Sequence, residues 1–174
     1  MGASRQIISI GGGGFGRNPG VGIIEQYILD QTKKRKPKIC FIPTATGDLE
    51  LYKLNYYATF SNLNCQPTHL DFFKRTPNLE KLIHNQDAIF VGGGNTKSML
   101  AVWRDWGLDE ILKQAYEKGT VMSGVSAGAI CWFERGITDS WAENLKVMEC
   151  LNFVPGVCCP HYDEEPERRP SVHK

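Results

Sequence analysis

The sequence predicts an α/β protein built on a doubly wound, mostly parallel sheet with helices on both faces. Three observations lead there. Short apolar runs rich in β-branched residues alternate with amphipathic ones, the pattern of parallel strands joined by crossover helices. The turns with unusual chemistry all follow strand candidates, which would put them at one edge of an open sheet, beyond its carboxyl ends. Finally, 174 residues suffice to bury about 70% of the extended surface, as one domain or one domain with a small appendage.

The first strand candidate, Gln6–Ile10, runs into Gly11-Gly12-Gly13-Gly14-Phe15-Gly16, which satisfies G-x-G-x-x-G. A dinucleotide site would also need an acid at the end of the second strand, about 20 residues further on, to hold the ribose. That strand, Lys38–Pro43, continues into Thr44-Ala45-Thr46 with no carboxylate, and Pro19 and Gly20 delay the intervening helix. The glycine run therefore reads as a turned loop bordering a cleft, and no cofactor is expected. A helix over Val21–Lys34 ends in Lys33-Lys34-Arg35-Lys36, where cations suit the helix dipole. A helix over Leu49–Asn62, a strand over Gln66–Asp71 and a helix over Asn78–His84 follow.

The next strand, Asp87–Val91, leads into Gly92-Gly93-Gly94-Asn95 and a helical pattern over Thr96–Lys118. Gly107 should break that pattern in two, with Leu108, Ile111, Leu112 and Ala115 forming one apolar stripe in the second half. The strand Thr120–Val125 then meets Ser126, and Ala127–Phe133 is helix-forming. After residue 135 the periodicity weakens. Leu145–Cys150 and Phe153–Cys159 are further strand candidates, and Asp163–Lys174 reads as a charged, Pro-broken tail. The expectation is a single hydrolytic domain over residues 1–174 that lacks a C-terminal closing segment. The apolar surface left by such a truncation can drive association into a homodimer, or aggregation.

Composition narrows the function classes. With 20 basic and 19 acidic residues the formal charge is +1, which gives nucleic-acid binding little support. Mean hydropathy is negative and no apolar run approaches the length of a membrane span. Met1-Gly2-Ala3-Ser4-Arg5-Gln6 lacks an apolar core and a cleavage site, so the protein is expected to be cytoplasmic. Its six cysteines have no framework spacing. Cys40 and Cys131 lie in apolar runs, as reduced buried thiols do. Cys158-Cys159-Pro160-His161 offers no second ligand pair, so no metal site is expected.

Gly124-Val125-Ser126-Ala127-Gly128 carries the chemistry. A G-x-S-x-G pentapeptide between a strand and a helix is the pattern of a sharp turn that lifts a serine hydroxyl out of the sheet. Small residues are needed on either side because the backbone doubles back. The turn also leaves the hydroxyl at a helix N-terminus, where free N–H groups favour negative charge on a bound oxygen. Gly92-Gly93-Gly94-Asn95 allows close approach of backbone N–H groups to a ligand, so Gly94 and Ala127 form a plausible oxyanion hole, with Gly93 and Asn95 in the same substrate-binding loop. Asn95 could equally cap the helix that starts at Thr96.

A serine needs a base. His69 lies in a strand candidate, His84 at a helix end and His173 in the tail. His161, after an apolar strand-like run, is the best placed. The acid is open among Asp139, Glu143, Asp163, Glu164 and Glu165. Asp163 is too near His161 in sequence to reach its far nitrogen easily, whereas Asp139 lies on a loop that could fold over the cleft.

Taken in order, the opening strand and glycine loop, Ile42-Pro43-Thr44-Ala45, Gly92-Gly93-Gly94-Asn95, Gly124-Val125-Ser126-Ala127-Gly128-Ala129 and Pro160-His161-Tyr162 resemble the serine peptidases of family S51, the aspartyl dipeptidase and cyanophycinase group. The resemblance covers essentially the whole chain. It implies a class I glutamine amidotransferase-like, three-layer α/β sandwich with a serine at the elbow. It also implies Ser126 as nucleophile, His161 as general base and the Gly94 and Ala127 N–H groups as oxyanion donors. Asp139 resembles a carboxylate that members carry after the nucleophile helix. The implied reaction is metal-free hydrolysis of short peptides next to an acidic residue. Family members continue beyond this histidine to the acid that orients it, so the resemblance implies that the sequence is a truncated product, that Asp139 substitutes, or that the chain is not active as it stands. The alternatives are a catalytically silent ligand-binding or regulatory module on the same fold, and a serine hydrolase of non-peptide acyl compounds.

Overall fold

The computed structural model describes residues 4–20, 22–141 and 144–173. The expectations that fall on Met1 to Ala3, Val21, Glu143 and Lys174 lie outside the described residues. Five strands make the central sheet: β1 (Ile7–Ile10), β2 (Lys38–Ile42), β3 (Gln66–His69), β4 (Ala88–Val91) and β5 (Val121–Val125). All are parallel, in the order β1-β5-β4-β2-β3. β2, β4 and β5 occupy the middle and are almost wholly buried, which explains their unbroken apolar character. β3 carries Pro67 and lies at an edge, where the missing N–H costs no ladder bond.

Alternation along the strands sorts the core into two layers. Ile39 and Phe41 of β2 join Ala88, Phe90, Val121 and Val125 on one face. There they meet Ile28 and Leu29 of α1 (Ile23–Gln31) and Tyr56 and Phe60 of α2 (Glu50–Phe60). Cys40 and Ile42 point the other way, with Ile89, Val91 and Met122. They pack on α3 (Leu79–Ile83), α4 (Thr96–Trp106) and α5 (Leu108–Glu117). Gly107 separates the last two helices in a left-handed conformation (φ 68°), as its position in the apolar pattern predicts. The result is a three-layer sandwich.

The expected helix over Ala127–Phe133 is much shorter. α6 covers Ala127–Ile130 only, and β6 (Phe133–Thr138) follows at once. β6 is the middle of a second sheet, antiparallel to β7 (Lys146–Glu149) and parallel to β8 (Val154–Cys158). Pairing on both sides holds Phe133 in a strand, which suits its aromatic side chain, while Trp132 lies in the turn before it. Gly136 lets the strand lie against Ile130, since a Cβ there would come within 2.8 Å of the Ile130 side chain.

The chain end also differs from expectation. Arg168 opens α7 (Arg168–Val172) and is 2% exposed rather than part of a solvated tail. Its guanidinium donates to the Ile137 carbonyl at 3.2 Å and to Glu165 at 2.6 Å, which ties this segment to β6.

Strand register brings the special turns together. Ile10 pairs with Val125, Val91 with Gly124, and Ile42 with Val91. Gly11–Gly16, Thr44–Asp48, Gly92–Asn95 and Ser126 therefore leave the sheet at one edge.

Candidate active site

Ser126 has φ 54° and ψ −110°, a conformation that side chains rarely adopt. Such strain persists only where surroundings enforce it. Here the enforcement is visible. Ser126 N–H donates to the Ile10 carbonyl (3.0 Å), while its own carbonyl accepts from Ala129 and Ile130 (2.9 and 3.1 Å) and starts α6. A Cβ on Gly124 would run into the Gly128 carbonyl, and one on Gly128 into the Val91 carbonyl. Both glycines of the pentapeptide are thus required by backbone contacts.

His161 lies 35 residues away in sequence, with Nε2 2.9 Å from Ser126 Oγ. It too has a positive φ, 53°, and its N–H donates to the Gly11 carbonyl at 3.2 Å. Its side chain is 11% exposed. With its proton on Nδ1, Nε2 is free to accept the serine proton, the arrangement that activates a hydroxyl. The glycine loop after β1 packs directly on this ring: a Cβ at Gly12 would sit 3.0 Å from His161 Nδ1. Phe15, 1% exposed, anchors that loop among Phe41, Tyr56, Phe60 and Phe90, and its N–H donates to buried Glu25 at 3.0 Å. The loop is therefore the border of the cleft, and a tied one.

The carboxylate beside the histidine is Glu164, with Oε2 3.4 Å from Nδ1. Sequence proximity is no obstacle, because the Glu164 and Glu165 N–H groups both return to the His161 carbonyl (3.1 and 3.0 Å) in a tight turn. That turn swings the glutamate back onto the far nitrogen. Asp139 is not in this place. It is 73% exposed and contacts Arg168 at 3.7 Å, so the expectation that it orients His161 is corrected: its loop is held to the α7 segment instead of folding over the cleft.

Arg17 Nη1 lies 3.2 Å from Glu164 Oε2. This hydrogen bond, and secondarily that to His161, holds the Glu164 carboxyl below the usual glutamate range. A lowered carboxyl is ionised at neutral pH. Its favourable contacts are fully present above the ordinary glutamate range and are lost as the pH falls through the lowered value. Glu164→Gln is expected to lower turnover about 10- to 100-fold. That is short of the loss on removing a buried triad acid, because Glu164 is 56% exposed. A pH–rate profile of both proteins checks this.

Gly93 and Gly94 line the cleft with Ser126. The Gly93 N–H is taken by the Tyr52 hydroxyl (3.4 Å) and that of Asn95 by the Ala45 carbonyl (2.8 Å). The Gly94 N–H between them has no acceptor among the described residues. Gly94 has φ 136°, and a Cβ there would strike the Ala45 carbonyl. Ala127, 1% exposed, begins α6 beside the serine, where a first-turn N–H has no partner within the helix. Asn95 does not line the cleft. Its Oδ1 accepts from Ser98 N–H at 2.8 Å, and its Nδ2 lies 3.3 Å from the Ser140 carbonyl. The side chain thus makes the cap that the sequence offered it.

The cleft encloses about 350 Å³, a size suited to a small ligand. Besides the groups above, Leu49, Leu51, Tyr52 and Val125 line it. Burial raises the Tyr52 hydroxyl, keeping it neutral. Arg17 and Tyr52 escaped the sequence reading; the available signal for Arg17 was a charged side chain directly after the glycine run. Cys40 and Cys131 are fully buried as expected, and burial pushes Cys40 and Cys150 up to about 12 and Cys65 and Cys158 to about 11. These thiols do not compete with Ser126 as nucleophiles.

A model of peptidase family S51 matches residues 7–174. The chain is 48% identical over 171 residues to the uncharacterized peptidase YgaJ of Bacillus subtilis (strain 168), covering 98% of this chain and 74% of the relative. It is 27% identical over 148 residues to the uncharacterized peptidase Lin0382 of Listeria innocua, covering 75% and 67%. Among solved structures, a peptidase from an acI-B1 actinobacterium superposes with a TM-score of 0.76 at 19% identity, covering 98% of this chain and 77% of that one. A protein assigned as peptidase E from Listeria monocytogenes EGD-e gives 0.63 at 24% identity, covering 84% and 78%. At these identities the structures speak for the fold, the helix-flanked and mostly parallel sheet of the class I glutamine amidotransferase-like type.

Proposed function

The chain belongs to peptidase family S51, and from that premise we propose that it is a cytoplasmic serine peptidase hydrolysing short peptides next to an acidic residue. The observation that carries the serine mechanism is the 2.9 Å contact between Ser126 Oγ and His161 Nε2 at the wall of a small cleft. Ser126 Oγ attacks the scissile carbonyl carbon as His161 Nε2 takes its proton. The carbonyl oxygen becomes an oxyanion facing the Gly94 and Ala127 N–H groups. Collapse breaks the C–N bond, and the leaving amine receives the proton from His161. Water, deprotonated by the same nitrogen, then releases the acid product and restores the serine. No described helix is long and apolar enough to cross a membrane, in keeping with the proposed location.

The exposure of Glu164 and its 3.4 Å distance from His161 favour a second reading, a binding module whose histidine is too loosely oriented for turnover. Amine release from a panel of short peptides in the presence of a chelator separates the two, together with labelling by a fluorophosphonate mapped by mass spectrometry. Amine release and a label on Ser126 are expected. Peptide binding with neither would overturn the peptidase in favour of the module. Labelling with ester but no peptide cleavage would make it an acyl hydrolase.

A further inference from the structure

Arg17 lines the same cleft as Ser126 and His161, on the loop that Phe15 anchors. Among the described residues lining the cleft it is the one lysine or arginine, and no carboxylate lines the cleft beside it. Around it the walls are largely apolar, formed by Leu49, Leu51, Tyr52 and Val125. Its only hydrogen bond among the described side chains runs from Nη1 to Glu164, and both partners are more than half exposed (58% and 56%). An ion pair so exposed is weak and yields readily to a competing anion. Nε and Nη2, the remaining edge of the guanidinium, donate to nothing among the described residues. A guanidinium edge of this kind matches a carboxylate with two parallel hydrogen bonds, which are stronger in an apolar surround than in water.

We propose that Arg17 is a specificity-determining residue that binds a carboxylate of the substrate. The inference rests on reading the cleft as a peptidase site. The carboxylate can belong to an acidic side chain next to the scissile bond or to the free C-terminus of a short peptide. Either would sit near the dyad, because Glu164 touches both Arg17 and His161.

The test compares Asp-Leu-NH2 with Asn-Leu-NH2, and Asn-Leu with Asn-Leu-NH2. The first pair isolates the side-chain carboxylate and the second the terminal one. Hydrolysis by the intact enzyme and its Arg17→Gln and Arg17→Lys variants gives kcat/KM ratios. Calorimetric binding to Ser126→Ala, with and without Arg17→Gln, gives affinity ratios independent of turnover. The preference for the carboxylate-bearing member of one pair is expected to fall about tenfold or more in Arg17→Gln, with Arg17→Lys in between. The pair that responds names the source of the carboxylate. Unchanged ratios in both pairs, or an equal fall for every peptide that Glu164→Gln reproduces, would overturn the proposal and leave Arg17 as a support for Glu164. An Arg17-dependent affinity ratio without any hydrolysis would sustain it while sinking the peptidase reading.

Discussion

Ser126→Ala is expected to abolish peptide hydrolysis, lowering kcat by about 10⁴- to 10⁶-fold, the scale for loss of an activated serine nucleophile. The reason is chemical, since alanine offers no oxygen to attack the carbonyl. Stability should barely change, because alanine meets the same strained backbone at φ 54° and only the bond to His161 is lost. Ser126→Gly sharpens the point. It should be equally inactive yet more stable by about 1 kcal/mol, as glycine relieves strain that the serine requires, less its greater freedom in the unfolded chain. Amine-release kinetics and urea unfolding of the three proteins measure both effects. A glycine variant no more stable than the wild type would show that the elbow stores no strain.

Gly128→Ala should have the largest effect on folding. Its Cβ would meet the Val91 carbonyl, with the Val91 carbonyl carbon at 2.6 Å and its Cβ at 2.8 Å. These are atoms of a central strand and cannot rotate away. To admit one methyl group, α6 must separate from β4 and β5, at a cost of about 3 kcal/mol. For a chain of this size that lowers Tm by about 6–12 °C. Activity should fall as well, because Val91 leads directly into Gly92–Gly94. Gly11→Ala is the control. Its added Cβ would find its nearest neighbour, the His161 backbone nitrogen, at 3.9 Å, so its Tm should stay close to the wild type. Equal melting temperatures for the two variants would refute the packing argument.

Elements whose signal lies in contiguous residues were legible in the sequence. The strand at Ala88–Val91, the break at Gly107 and the elbow at Ser126 each follow from local pattern or backbone freedom. β6 was hidden because no Gly or Pro between Ala129 and Phe133 marks the end of the helix, and its hydrogen-bonding partners β7 and β8 come from further along the chain. The buried role of Arg168 was hidden for a similar reason: a charged, proline-broken stretch looks solvated until the Ile137 carbonyl and Glu165 satisfy its guanidinium.

By itself, then, the sequence determined the parallel α/β architecture and the sharp turn at Ser126, because each depends on residue types and their immediate neighbours, and the structure sets His161 beside that serine. The tertiary structure alone decided which carboxylate faces the histidine and which cation faces the cleft. Glu164 rather than Asp139 approaches Nδ1 because a left-handed His161 starts a tight turn that reverses the chain. Arg17 reaches Glu164 across 147 residues because the register of β1 on β5 sets the glycine loop against that turn. Side-chain partners so far apart are chosen by strand register and turn geometry, which no local pattern of residues encodes.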